Sequence, residues 1–373
     1  MAKKILIIDD SALMRRVISD IIKSHNEYEV ADIARDGLEG FEKITANPEL
    51  FDAIVMDINM PKMNGLEVLE NLQKYRVKHT TIVVSTVATE GARETIRALE
   101  LGAFDFVTKP TSYAEVSGAD FRKKLLETLA VAVGLDDMKT ESVVEAAKPE
   151  PKQARQTAVR MPSFKFEPAR RVLTEPAAGH GGKLVALACS TGGPKSLQSV
   201  IPLLPQNLNA PVVLVQHMPK GFTLSLAQRM DELSQIKVSE AVDGEILEKG
   251  HVYIAPGGRH MEIVRTQGNA HQIRLNDSPP IDALRPCANV MYNSLADSNF
   301  GEITCVVLTG MGADGTRGIA NLAAKKKVHV IAQDKDTCVV YGMPKAIAEA
   351  GLVDEVKPLE EIANTIIRSV GVS

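Results

Sequence analysis

Residues 3–10 read KKILIIDD, and residues 11–24 continue SALMRRVISDIIKS. An apolar run that ends in two aspartates and passes into apolar residues at three- and four-residue spacing predicts a buried β-strand feeding an amphipathic helix. The unit recurs downstream. YEVADIA (28–34), FDAIVMD (51–57), TTIVVS (80–85) and FDFVTK (104–109) are strand-like, with helical patterns between them. Such alternation implies a parallel sheet with helices on both faces, a flavodoxin-like doubly wound α/β domain.

This domain is expected to span residues 1–134. From 135 to 182 Lys, Glu, Pro, Ala and Gln dominate (KPEPKQARQT), and GHGG closes the stretch. A segment that buries so little apolar surface is expected to be a flexible tether; its short SFKF piece is assigned no structure. From 183 to 373 the alternation resumes with KLVALAC (183–189), PVVLVQ (211–216), ITCVVLT (303–309) and KVHVIAQ (327–333). Between 236 and 277 short alternating runs around Gly-rich turns predict antiparallel hairpins. The second domain is therefore expected to be mainly parallel α/β with an antiparallel β-hairpin insert.

Composition narrows the class of function. The 373 residues are 45% hydrophobic and 24% charged, with a net charge of −4 and no long basic run, which argues against a nucleic-acid partner. The apolar run at the N-terminus is too short for a signal peptide, and no stretch approaches the roughly 20 apolar residues of a membrane span. A cytoplasmic protein without membrane insertion is expected. Cys189, Cys287, Cys305 and Cys338 show no paired spacing and read as reduced thiols.

In a doubly wound sheet, ligands bind beyond the carboxyl ends of the strands. Asp9 and Asp10 end the first strand of the N-terminal domain, Asp57 the third and Ser85 the fourth; Lys109 follows the fifth, ahead of Pro110. A single aspartate in such a place is most often a helix N-cap. A set of five polar residues at strand ends points instead to a shared site. Three carboxylates repel unless a cation neutralises them, and a hard divalent ion such as Mg²⁺ suits oxygen ligands. With metal and Lys109 offsetting charge, one carboxylate can attack a phosphoryl group, and Ser85 (or Thr86) can bond the new phosphate oxygens.

IIDDSALMRR (7–16), VMDINMP (55–61) and FVTKP (106–110) resemble a response-regulator receiver over the length of this domain. The resemblance implies that Asp57 takes phosphate from a histidine kinase, and that Asp10, with Asp9, Asp57 and the carbonyl of Asn59, holds Mg²⁺. Asn64 stands where the family often has aspartate, away from the metal.

In the second domain, KLVALAC runs into Ser190-Thr191-Gly192-Gly193-Pro194 and a helical pattern. A serine on a sharp strand-to-helix turn can protrude as a nucleophile, and backbone N–H groups at the helix start can stabilise an oxyanion. Serine before Gly-Gly also serves as an N-cap or phosphate loop, so this motif alone leaves both open. The next strand ends at His217, the histidine best placed as a base beside Ser190; His260, on a hairpin, is second. ITCVVLTG leads to Met311-Gly312-Ala313-Asp314-Gly315, where Asp314 can orient an imidazole and the Met311 N–H can meet an oxyanion. The same stretch, Gly310-x-Gly312-x-x-Gly315 with Asp334 after the following strand, matches a dinucleotide fingerprint. A non-enzymatic nucleotide-binding effector is therefore the alternative. Against it, the unit lies late in the domain and leaves Ser190 and His217 unexplained.

CSTGGP (189–194), VQHMPKGF (215–222), YIAPGGRHM (253–261), LTGMGADG (308–315) and CVVYGMP (338–344) are similar to the catalytic domain of the chemotaxis protein-glutamate methylesterases, which also act as protein-glutamine glutaminases. The order receiver then effector is that of the whole family. The resemblance implies a Ser190, His217, Asp314 triad, oxyanion donors near Thr191 and Met311, no cofactor for the esterase, and methylated chemoreceptor helices as substrate. It further implies that the receiver covers the catalytic cleft until phosphate on Asp57 reorganises Ser85 and the face around Tyr113. Two departures stand out. Ala188-Cys189 replaces the family's usual Gly-Ala before the serine, and the sequence ends at VGVS without an aromatic-rich receptor-tethering tail.

Overall fold

The computed structural model describes residues 2–86, 88–110, 119–135, 181–266, 268 and 270–373. The expected tether, its SFKF piece and Tyr113 lie outside the described residues, apart from the tether's ends. The first sheet is parallel throughout and ordered β2-β1-β3-β4-β5, formed by β1 (Lys3–Ile8), β2 (Tyr28–Ala34), β3 (Ala53–Asp57), β4 (Thr81–Ser85) and β5 (Asp105–Thr108). Successive strand residues face opposite sides, so each apolar run serves two cores. Ile5 and Ile7 pack with Met14, Ile18 and Ile22 of α1 (Ala12–Lys23) and Leu125 and Leu129 of α5 (Ala119–Ala132). Leu6 and Ile8 face α2 (Gly37–Ala46), α3 (Gly65–Lys74) and α4 (Thr89–Glu100) through Ile44, Val68, Leu72 and Ile96. Local signals start the helices. Ser11 and Asp36 accept the amides of Met14 and Glu39, and Asn64 with Glu67 closes a capping box on α3.

The second sheet has seven strands, all parallel, ordered β14-β13-β12-β6-β7-β9-β8. Its centre is β6 (Lys183–Cys189), between β7 (Val212–Gln216) and β12 (Glu302–Val307); β13 (Val328–Gln333) and β14 (Glu355–Lys357) lie beyond β12. Strand order runs outward from β6 in one direction and then from β12 in the other. The crevice between them is the switch point, where a doubly wound sheet opens a binding site. One face carries α6 (Gly193–Val200), α7 (Phe222–Leu233) and α11 (Leu359–Val370). The other carries α8 (Ala288–Ser294), α9 (Thr316–Ala323) and α10 (Met343–Glu349).

The expectation of antiparallel hairpins across 236–277 is corrected in part. β10 (His260–Arg265) and β11 (His271–Asn276) form the hairpin insert. β8 (Lys237–Glu240) and β9 (His251–Ile254) instead join the edge of the large sheet in parallel. The loop 241–250 is long enough to return the chain in its original direction, and it is stitched to the hairpin by Gly244 N–H to Ile273 O and Leu247 N–H to His271 O, 2.8 and 2.9 Å. Among the described residues no helix is long and apolar enough to cross a membrane.

The two sheets share a core. Helix α4 lies against α6 and α7, and Ala92, Ile96, Leu99 and Phe106 cluster with Leu197, Phe222, Leu226 and Met230. The rings of Phe106 and Phe222 sit 4.6 Å apart, tilted by 33°. At the rim, both carboxylate oxygens of Glu100 accept from Arg229, at 2.7 Å from Nε and 3.4 Å from Nη2. Phe222 is fully buried where both domains meet. Phe222→Ala should therefore cost about 3–5 kcal/mol of second-domain stability in urea unfolding. A loss under about 1 kcal/mol would show that the ring carries little of this packing.

Candidate functional site

At the carboxyl edge of the first sheet, Asp9, Asp10 and Asp57 each place one oxygen within 4.8 Å of the others. The Lys109 Nζ lies 2.5 Å from Asp57 Oδ2 and 3.4 Å from Asp9 Oδ2. Arg15 braces the loop beneath, donating to the carbonyls of Asp9 and Asp10 at 2.8 and 2.9 Å. Burial pushes the carboxyl groups of Asp9 and Asp57 above the usual aspartate range, and Lys109 opposes this without cancelling it. Asp9 Oδ2 is buried with no hydrogen-bond partner. An unbonded buried carboxylate oxygen facing two further carboxylates fits a hard divalent cation. The Asn59 side chain turns away and donates to Glu94 Oε2 at 3.0 Å, which leaves only its carbonyl as a candidate ligand.

The Ser85 side chain is engaged by α4. Its hydroxyl donates to the carbonyl of Gly91 at 3.1 Å and accepts from Thr95 Oγ1 at 2.7 Å, both on α4. The residue expected to sense phosphate is thus bonded to the helix that packs on the second domain.

In the second sheet, β6 and β7 end in register at Cys189 and Gln216. Ser190 and His217 are consequently the next residues of neighbouring strands, and the His217 amide donates to Cys189 O at 3.2 Å. Asp314 comes from the loop after β12. Its Oδ2 meets His217 Nε2 at 2.8 Å, with both side chains buried. The Asp314 carboxylate also accepts the amides of Ala288 (2.6 Å), Asn289 (3.0 Å) and Gly315 (2.9 Å) and the Cys287 thiol (3.2 Å). Burial pushes this carboxyl up, but the bond to His217, the attraction of its imidazole when protonated and the two α8 amides outweigh it and hold it at about 2. An ionised Asp314 makes Nε2 the N–H of the neutral ring and leaves Nδ1 as the basic nitrogen. The Ser190 hydroxyl bonds to no group among the described residues. Nor do the amides of Thr191 and Met311 donate to any other group there, so all three are free for a substrate.

Ser190, His217, Asp314, Thr191 and Met311 line one cleft of about 1320 Å³. Its opposite wall is the first domain, from Phe104 and the β5 residues Asp105–Thr108 to Lys124 and Thr128 on α5. The Thr191 hydroxyl donates to Asp105 Oδ2 of that wall at 2.6 Å. His260 is elsewhere, buried on β10 with Nε2 at 3.2 Å from the carbonyl of Pro279. Sequence reasoning missed Cys287, Ala288, Asn289 and Asp105. Two of these act through backbone amides, which leave no sequence signal.

Fold and site together define a response regulator whose output domain is an α/β unit carrying a serine–histidine–aspartate group. A family model described as response regulator receiver domain matches residues 5–119, and one described as CheB methylesterase matches 185–366. The chain is 41% identical over 369 residues to a protein-glutamate methylesterase/protein-glutamine glutaminase of Geobacillus kaustophilus, covering 99% of each. It is 40% identical to the protein of that name from Bacillus subtilis, covering 98% of each. The crystal structure of the Thermotoga maritima CheB methylesterase catalytic domain is 44% identical, covers 50% of this chain and 98% of that one, and gives a TM-score of 0.49. The chain belongs to the protein-glutamate methylesterase/protein-glutamine glutaminase family, with a receiver as its first domain.

The dinucleotide alternative has no support. The Gly310 carbonyl accepts the amides of Gly342 and Met343, and a Cβ on Gly310 would stand 2.8 Å from the Ser190 Cβ. The Gly315 amide is taken by Asp314. Asp334 is held by the Thr337 amide and hydroxyl at 2.9 and 2.6 Å. The Gly315 amide and the Asp334 carboxylate, two groups of that fingerprint, are thus spent inside the fold.

The depressed Asp314 carboxyl carries a linkage. Its folded pKa lies below the ordinary aspartate value of 3.8, so its stabilisation is complete above about pH 4 and is lost as pH falls through 2. Roughly 2 kcal/mol should disappear across that window. Denaturant melts of wild type and Asp314→Asn at pH 5, 3 and 2 should converge as the pH drops; a constant gap between them would refute the linkage.

Proposed function

We propose that Ser190 is the nucleophile of a methylesterase acting on methylated glutamates of chemoreceptor helices, switched by phosphate on Asp57. In this reading residues 1–134 are the receiver, 135–182 a tether and 183–373 the catalytic domain, and the protein works in the cytoplasm. The observation that carries it is the buried His217–Asp314 pair, 2.8 Å apart, beside a serine with a free hydroxyl.

His217 Nδ1 takes the Ser190 proton as Oγ attacks the ester carbonyl, and Asp314 stabilises the imidazolium that forms. The Thr191 and Met311 amides receive the oxyanion. The imidazolium returns its proton to the methoxide oxygen and methanol leaves. Water, deprotonated by His217, then releases the glutamate carboxylate and frees Ser190. With a glutamine side chain the same steps expel ammonia. No cofactor enters this half.

Asp57 accepts the phosphoryl group from a chemotaxis histidine kinase. Asp9, Asp10, Asp57 and the Asn59 carbonyl would hold Mg²⁺, which supplies charge neutralisation for phosphoryl transfer when bound. Lys109 is placed to share the phosphate charge. Ser85 would leave Gly91 and Thr95 to meet the phosphate, loosening α4 on α6 and α7. The receiver wall and the Asp105–Thr191 bond support a covered cleft in the unphosphorylated protein.

Methanol release from methylated receptor membranes tests the reading. A small phosphodonor with Mg²⁺ should stimulate release in wild type but not in Asp57→Asn. Ser190→Ala should lower it by on the order of 10⁴-fold or more, and Asp314→Asn by about 10³–10⁴-fold. Release unaffected by Ser190→Ala would remove the serine mechanism. The covered cleft has a separate check: Asp105→Ala, or deletion of residues 1–182, should raise phosphodonor-independent release several-fold, and unchanged basal release would refute the cover.

A further inference from the structure

Gln216 ends β7 directly before the candidate base and is 1% exposed. Its amide bridges the two reacting residues: Nε2 donates to Ser190 O at 3.0 Å and to His217 O at 3.3 Å. Its Oε1 accepts from the Cys189 thiol at 3.0 Å. The site is built to hold this amide in one orientation. Two carbonyls on one side require the NH₂ group there, because two facing oxygens would repel, and a thiol on the other side requires the acceptor. Burial pushes the Cys189 thiol up, so it stays protonated and remains a donor. Gly193 completes the seat, since a Cβ there would come within 2.0 Å of Gln216 Oε1. The Gly193 amide also donates to Ser190 O at 2.7 Å.

The strand ladder stops at Cys189 and Gln216. Beyond that pair the Ser190 amide bonds Thr309 O after β12 and the His217 amide bonds Cys189 O, and the Gln216 amide is what ties the Ser190 and His217 backbones to each other. We propose that Gln216, oriented by Cys189, is a positioning residue for the hydrolysis, tying the backbone of the nucleophile to that of the base so that Ser190 Oγ meets His217 in reactive register. The proposal rests on the roles of Ser190 and His217 given above.

A serine-directed fluorophosphonate reports the pairing directly, because its rate of attachment depends on how well the base activates Ser190. The full-length chain would be used with Mg²⁺ and a small phosphodonor, with methanol release followed in parallel. Gln216→Met keeps the length of the side chain and removes all three hydrogen bonds. It should lower kcat and the labelling rate together by about tenfold, leave KM within twofold of wild type, and keep the far-ultraviolet circular dichroism of the folded protein. A folded Gln216→Met that labels and turns over like wild type would overturn the proposal. Should that variant not fold, the thiol decides. Cys189→Ala should label two- to threefold more slowly and Cys189→Ser, which keeps a donor, should recover at least half of that loss. Equal rates for all three would overturn the proposal. Ser190→Ala separates the two readings: with that variant inert, unchanged Gln216 and Cys189 variants remove only the positioning role, whereas a Ser190→Ala variant that still releases methanol removes both.

Discussion

Parallel pairing of β6 with β7 on one side and β12 on the other is the constraint on which the rest of this molecule depends. A parallel ladder brings the carboxyl ends of its strands to one edge, where the chain must turn and its polar groups run out of ladder partners. Three residues that are distant in the chain, Ser190, His217 and Asp314, meet at that edge because each follows one of these three central strands. The first sheet obeys the same rule with Asp9, Asp10, Asp57 and Lys109. One architectural principle has gathered both the carboxylate cluster of the receiver and the serine–histidine–aspartate group of the second domain.

What distinguishes the two clusters is how buried charge is compensated. In the receiver, burial dominates: Asp9 and Asp57 are pushed toward their neutral forms, and Asp9 Oδ2 meets only the Lys109 ammonium, at 3.4 Å. Such a cluster favours the arrival of a cation. In the hydrolytic domain the opposite holds for Asp314, whose carboxylate collects backbone amides, a thiol and an imidazole. It is stabilised as an anion without a metal and can therefore hold His217 in one tautomer and orientation.

Helix α4 links these chemistries. Its early turns hold the Ser85 hydroxyl through Gly91 and Thr95, its apolar face joins α6 and α7, and its last residue, Glu100, accepts Arg229. Asp105, five residues beyond Glu100, bonds the hydroxyl of the residue next to Ser190. From the end of β4 to the cleft there is thus a run of direct contacts: a hydroxyl pair, a packed helix and a strand.

Apolar runs and their punctuation determined most of the fold by themselves. A strand buried on both faces must be nearly continuous in apolar residues, and the residue after it is exposed to a crevice, so strand ends were readable as candidate sites. The motifs around Asp57, Ser190, His217 and Asp314 then pointed to a family. Tertiary structure decided the remainder, because the deciding groups were backbone amides or pairings between distant segments. The N–H groups of Ala288 and Asn289 that join His217 in holding Asp314 ionised carry no side-chain signature, and neither does the parallel placement of β8 and β9, which a 241–250 loop permits and local alternation disguises. The direction in which Ser85 points, the Asp105–Thr191 bond and the seat of Gln216 likewise arise only when two domains or two strand ends are packed together, since a hydrogen bond between residues far apart in the chain is fixed by the packing that brings them within reach.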